Sequence, residues 1–300
     1  MRVDPNYVSG LVASLNNSTL SEQQLTSELS SGLRVSSLSN DPVAAGQASL
    51  MNSAISQEDS FAQTAASTQS LMRVADSALG SVVTQLTSAL SLAVAGNSGT
   101  MSASNLTSLS QQLSGLRDQV VSLANTSYQG TYIFAGSQGS VQPFTVDTST
   151  SPATTTYQGD SQVGTVTTEN GQHIQTGLAG SAVFSAPGAD VMAALNQLIA
   201  DFGSGAVSAS AATDVGVLQT ALSNVSQQRS VLDSSLSRLE SASTYAQTDA
   251  TNRTAAISSL VAADPATVAT QLSSAETQKQ ALMSVISTVE KQSLFDYIRG

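Results

Sequence analysis

Residues 41–99 read DPVAAGQASLMNSAISQEDSFAQTAASTQSLMRVADSALGSVVTQLTSALSLAVAGNSG, and this stretch decides the fold. Asp41-Pro42 is a helix-start signal, since proline suits the first turn of a helix and disrupts its interior. From there a four-three spacing runs through Val43, Gln47, Leu50, Ala54, Gln57, Phe61, Ala65, Thr68, Met72, Ala75, Leu79, Val82, Leu86, Ala89 and Ala93, nearly all apolar or small. Such spacing lays one stripe along one side of a helix. The pattern stops at Gly96-Asn97-Ser98-Gly99, so a single helix about 75 Å long is predicted at about 1.5 Å per residue. A helix with so narrow a stripe needs partners along its whole length.

Those partners are legible on both sides. A second stripe runs Leu106, Leu109, Leu113, Leu116, Val120 and Leu123, ending at Tyr128-Gln129-Gly130. A third runs from Leu218 through Leu222, Val225, Arg229, Leu232, Leu236, Leu239, Ser243, Ala246, Ala250, Arg253 and Ile257 to Leu260. After Pro265 a fourth follows Val268, Leu272, Ala275, Lys279, Leu282, Ile286 and Val289. Ahead of the long helix, Val8, Leu11, Leu15, Leu25 and Leu29 outline a helix that ends at Gly32, with Ser18 and Glu22 interrupting its stripe. Arg229 and Arg253 sit in stripe positions, either snorkelling at the edge or pairing with a carboxylate.

The middle is a different kind of chain. No Lys or Arg occurs between Arg117 and Arg229, whereas residues 138–214 carry six acidic groups. Alternation replaces the helical stripe at Phe144 to Val146, Ala153 to Tyr157, Val163 to Thr168 and His173 to Thr176, with Glu169-Asn170-Gly171 as a hairpin turn. A short amphipathic helix, Val191 to Phe202, follows. The expected architecture is mainly α with a small β insertion: a long antiparallel helical rod built from N- and C-terminal segments, plus a compact outer β domain. Boundaries are expected at 1–40, 41–137, 138–188, 189–264 and 265–300.

Composition excludes whole classes of chemistry. Of 300 residues, 10% are charged, against about 25% in an ordinary globular chain. Serine alone fills more than fifty positions. Cysteine is absent, which removes disulfides, thiolate nucleophiles and sulfur metal sites, and the single histidine, His173, leaves neither a catalytic triad nor a multi-histidine metal cluster. The acidic groups of the middle lack metal-loop spacing. No catalytic residue, cofactor or metal is therefore expected. A net charge of −11 repels nucleic acid and anionic lipid. No run reaches the roughly 20 apolar residues of a membrane span and no basic-then-apolar leader opens the chain, so neither membrane insertion nor a cleaved signal is expected.

Two motifs are specific. Leu29-Ser-Ser-Gly-Leu-Arg-Val35 followed by Asn40-Asp-Pro-Val-Ala-Ala-Gly46 resembles the N-terminal signature of the flagellin superfamily. Ser293-Leu-Phe-Asp-Tyr-Ile298 and Tyr128-Gln-Gly-Thr-Tyr-Ile-Phe-Ala-Gly-Ser137 are similar to segments of that superfamily's hook-filament junction branch. Leu33 is the flagellin-like choice at its position, and Arg299-Gly300 extends past the usual end.

The resemblance implies an extracellular structural subunit of the bacterial flagellum, exported unfolded by the flagellar type III apparatus. Its implied partners are copies of itself, the neighbouring hook-associated protein, flagellin and an export chaperone. A filament-forming flagellin and a secreted helical adhesin or translocator remain the alternatives. Subunit contacts are expected at Val8, Leu11, Leu15, Leu25, Leu29, Gly32, Arg34, Asp41 and Pro42. On the C-terminal side they are expected at Leu272, Leu282, Ile286, Val289, Leu294, Phe295, Tyr297 and Ile298. The last four are apolar side chains that a lone monomer would leave exposed.

Overall fold

The computed structural model describes residues 5–150, 152–168 and 170–299, with the backbone alone for residues 5, 6, 8 and 290–299. The chain forms two compact units, one of residues 1–57 and 248–300, the other of residues 58–247. Helices dominate: α1 (Pro5–Ser31), α2 (Pro42–Gly96), α3 (Ala103–Ala124), α4 (Gly180–Phe184), α5 (Val191–Gly203), α6 (Ala211–Val261) and α7 (Pro265–Arg299). The long helix is therefore real and unbroken from Pro42 to Gly96.

The stripe holds from Phe61 onward, where Ala65, Met72, Ala75, Leu79, Val82, Leu86, Ala89 and Ala93 are buried. Upstream it is shifted by one residue. Val43 and Leu50 are 70% and 74% exposed and Gln47 and Gln57 lie outside, while Ala44, Ala48 and Glu58 are buried. Counting back from Ala65 in sevens reaches Glu58, Met51 and Ala44, so the seam there runs through Ala44, Ala48 and the buried Glu58 in place of Val43, Gln47, Leu50 and Gln57. Side-chain size misleads where a face is packed through alanine. By length and composition α2 could also cross a membrane, its most apolar window having a mean hydropathy of 1.5. Here Leu79, Val82 and Leu86 from its apolar face instead form the centre of the core.

In residues 58–247, α2 and α6 are tied by Arg229, whose Nε and Nη2 donate to Asp76 at 2.5 and 3.1 Å, and by Arg73 to Glu240 at 2.7 Å. Gly80 leaves room beside the Arg229 guanidinium. Arg253 pairs instead within its own helix, with Asp249 one turn earlier. The α3 helix starts at the N-cap Ser102 and packs along α5. Buried Arg117 of α3 donates to Asn196 of α5, and Asn196 in turn donates to Thr155.

Between α3 and α5 the described residues make four separate two-stranded antiparallel ladders. They are β1 (Ser127–Tyr128) with β2 (Thr131–Tyr132), β3 (Phe144–Asp147) with β4 (Thr154–Tyr157), β5 (Thr165–Thr167) with β6 (His173–Gln175), and β7 (Ser185–Ala186) with β8 (Ala189–Asp190). The strands read as one small domain thus share no single sheet. Each is too short to offer an apolar face, so the large side chains come from β3, β6 and the flanking segments. Phe134, Phe144, Ile174 and Phe184 enter the same cluster as Leu195, Leu198 and Phe202 of α5. Phe184 meets both Phe134 and Phe144 edge to face, with ring centroids 5.4 Å apart in each pair. The Tyr128–Ser137 motif is clamped: Asp160 accepts from the Ser137 amide and hydroxyl, and the Tyr157 hydroxyl donates to the Phe134 carbonyl. His173 stays exposed, its Nδ1 sharing a hydrogen bond with Thr167.

Where α5 passes into α6, Asp201 and Asp214 each bury an Oδ2 that receives no hydrogen bond from another group. No Lys or Arg between residues 117 and 229 is available to neutralise them. Burial, and then the adjacent Asp201 carboxyl, pushes the Asp214 pKa above the ordinary 3.8.

Two predictions follow from this core. A Cβ on Gly180 would lie 2.7 Å from the Phe134 carbonyl and 2.8 Å from the Tyr157 ring, whereas one on Gly177 meets nothing. Gly180→Ala should therefore cost about 1–3 kcal/mol in denaturant unfolding, and Gly177→Ala should not. A pKa raised by folding stabilises below the unfolded value, and that stabilisation is lost as pH rises through the folded value. Asp214→Asn should therefore raise the melting temperature relative to the parent more at about pH 8 than at about pH 4; an equal difference at both would contradict a raised Asp214 pKa.

Candidate functional site

The signature between α1 and α2 folds against the connection between α6 and α7. Gly32 ends α1 with φ +71°, a left-handed conformation that glycine adopts without strain, and its amide donates to the Glu28 carbonyl at 2.8 Å. The next amides, of Arg34 and Val35, donate to the Val261 carbonyl, and the Ala263 amide donates back to Gly32 at 2.9 Å. Leu33 and Ala262 thereby form an antiparallel bridge.

Side chains reinforce the bridge. The Arg34 guanidinium donates to the Leu260 carbonyl at 3.0 Å, capping the end of α6, and to Asp41 Oδ2 at 3.4 Å. Asp41 Oδ1 accepts the Ala44 amide at 3.0 Å as the N-cap of α2. That amide foremost, with help from Arg34, holds the Asp41 carboxyl below its ordinary pKa. Asp264 caps α7 in the same manner, accepting from Thr267 and the Ala266 amide, which lower its pKa. Between these anchors Ser37, Ser39 and Asn40 bond one another, and Val35 is the buried plug of the loop. Gly32, Arg34 and Asp41 are thus brought together, while Pro42 is an exposed first-turn residue of α2.

From this bridge α1 and α7 run antiparallel and pack along one another, Gly32 meeting Ala263 and, further on, Ser18 meeting the Ala275 carbonyl. The breaks in the two stripes answer each other: Lys279 donates to Glu22 at 2.6 Å, both side chains about three-quarters buried. Leu11, Leu15 and Leu25 of α1, and Leu272, Leu282, Ile286 and Val289 of α7, are only half-buried along this pair, and Leu29 is 42% exposed. The side chains of Val8, Leu294, Phe295, Tyr297 and Ile298 lie outside the described residues.

Other exposed groups were not singled out by periodicity. Leu20 and Leu38 are more than 60% exposed, as are Val43 and Leu50, which the stripe of α2 had placed inside. Of the fifteen large apolar side chains exposed among the described residues, ten belong to residues 1–57 and 248–300, the smaller unit. That concentration of exposed apolar side chains sets this unit apart from residues 58–247.

Comparison with known proteins places both connections within matched helical regions. The bacterial flagellin N-terminal helical region matches residues 8–139 and the bacterial flagellin C-terminal helical region matches residues 215–298. Flagellar hook-associated protein 3 of Salmonella typhimurium is 30% identical over 175 residues, 58% of this chain and 53% of the relative, so the match spans about half the length of that protein. The protein of the same name from Escherichia coli is 28% identical over 257 residues, 80% of this chain and 81% of the relative. A flagellar junction protein from Legionella pneumophila has the same fold, with a TM-score of 0.60 at 15% identity, covering 72% of this chain and all of that one. The two matched helical regions contain the Gly32 and Ala263 connections and the helices that flank them, and the chain belongs to the bacterial flagellin family.

Proposed function

We propose that this chain is a structural subunit of the bacterial flagellum that joins the hook to the filament, assembling as a ring of copies that continue the protofilaments. The concentration of exposed apolar side chains in residues 1–57 and 248–300 carries this reading, because a monomer that leaves Leu20, Leu38, Val43 and Leu50 in water has its driving force for association already on the surface. The name shared by the two curated relatives supports the hook-filament position over a place along the filament.

In this account residues 1–40 and 265–300 form the inner layer of the assembly, residues 41–137 and 189–264 the surrounding helices, and residues 138–188 an outer face. The contacts between copies use Leu29, Gly32, Arg34, Asp41 and Pro42 at the connections, the outward edges of Leu11, Leu15, Leu25, Leu272, Leu282, Ile286 and Val289, and the segment from Val8 and the segment Leu294–Ile298 at the ends. Neighbours on either side are another hook-associated protein and flagellin, and the site of action is outside the cell. The absence of cysteine and the low charge suit a chain that travels unfolded and must not cross-link on the way. A chaperone that covers the apolar ends before export completes the picture.

Antibody raised against residues 138–188 should label the hook-filament boundary as one narrow band. Label along the whole filament would assign the chain to the filament itself. A strain lacking the chain should carry bare hooks and release flagellin into the medium, and normal attached filaments in that strain would overturn the proposal.

A further inference from the structure

A groove of about 650 Å³ opens in residues 58–247 between the β5–β6 hairpin and α6. Ile174 and Ala246, almost wholly buried, are part of its apolar lining, and Asn170 and Gln172 of the hairpin line it with amides. Tyr245 stands at it with 61% of its surface exposed, and Arg238 supplies the only positive charge in the lining. The other cations of this unit are committed: Arg73 to Glu240, Arg117 to Asp118 and Arg229 to Asp76. Among the described residues Arg238 makes no ion pair. Among the described residues the groove therefore presents amides, a ring and one guanidinium without an ion pair, a surface suited to a polar, acidic polypeptide edge.

The chain itself carries such an edge. Residues 138–214 hold six carboxylates and no Lys or Arg. Most are engaged locally: Asp160 with Ser137, Asp190 as the N-cap of α5, and Asp201 and Asp214 with each other. Asp147, at the end of β3, is exposed and among the described residues is bonded only to the hydroxyl and amide of Ser149, which lower its carboxyl pKa below the ordinary value. It sits at the base of the β3–β4 turn, whose residues are Ser, Thr, Pro and Ala, with no bulky side chain to obstruct entry.

We propose that the groove of one copy receives the β3–β4 hairpin of the next, with Asp147 against Arg238. The contact is heterologous, one surface on each copy, so repeating it closes a ring when the rotation between copies allows. It rests on the proposed assembly into a ring of copies and names a further contact within it, well separated in sequence from the terminal helices.

The chain has no cysteine, so two introduced thiols report a contact without background. Thr148→Cys on the hairpin and Ser241→Cys in the groove should be placed together in one chain, and hook-filament preparations oxidised. Covalent dimers and longer ladders of this chain are expected from the double variant and not from either single variant. Arg238→Glu should reduce attached filaments by about tenfold, and adding Asp147→Arg to it should restore them. Normal boundary labelling without a ladder, or cross-links of the groove thiol to another flagellar protein, would overturn the hairpin contact while leaving the junction proposal intact. Absence of the parent protein from the boundary would overturn both.

Discussion

The constraint on which the rest depends is the short bridge between Gly32–Val35 and Val261–Ala263. Two connections more than two hundred residues apart exchange backbone hydrogen bonds, and Arg34 reaches across to close α6 and to steady Asp41 at the start of α2. Once these positions are pinned, α1 and α7 must leave side by side in opposite directions. Their weak stripes then find each other, and the polar interruptions Glu22 and Lys279 become a part-buried ion pair in place of two isolated charges.

The two units solve different physical problems. Residues 58–247 are self-sufficient: phenylalanines from the turns and ladders join leucines of α5 and the long helices in one dry cluster. The other unit leaves much of its apolar surface half covered, and among the described residues its buried side chains are mostly alanines, with Val35 and Val268. A polymer subunit needs this asymmetry. One part must hold its shape alone, and the other must gain from being surrounded by copies.

Much of this was legible in the residues. The limits of α2 and of α5, the end of α1 at Gly32, and the stripes of α6 and α7 follow from proline, glycine and heptad spacing, which are local signals. The fine register of α2 before Phe61 did not, because an alanine face carries little hydropathy contrast and the larger Val43 and Leu50 drew the stripe to the wrong side. The four separate ladders were hidden for a related reason: alternating Thr residues mark extended chain and say nothing of which strand pairs with which. Arg229 left its partner open until folding placed Asp76 opposite, and the Glu22–Lys279 pair lay in two separately noted interruptions whose match only the antiparallel packing reveals. The bridge at Gly32 was legible as a turn and illegible as a contact, since its other half lies at Val261.

Amide hydrogen exchange of residues 5–31 and 265–289, measured in dilute monomer and again in assembled junctions, tests most directly the claim that this unit is completed by its neighbours. The account predicts rapid exchange in the monomer and strong protection after assembly, with α3 and α5 unchanged between the two. Equal protection of α1 and α7 in both states would contradict it.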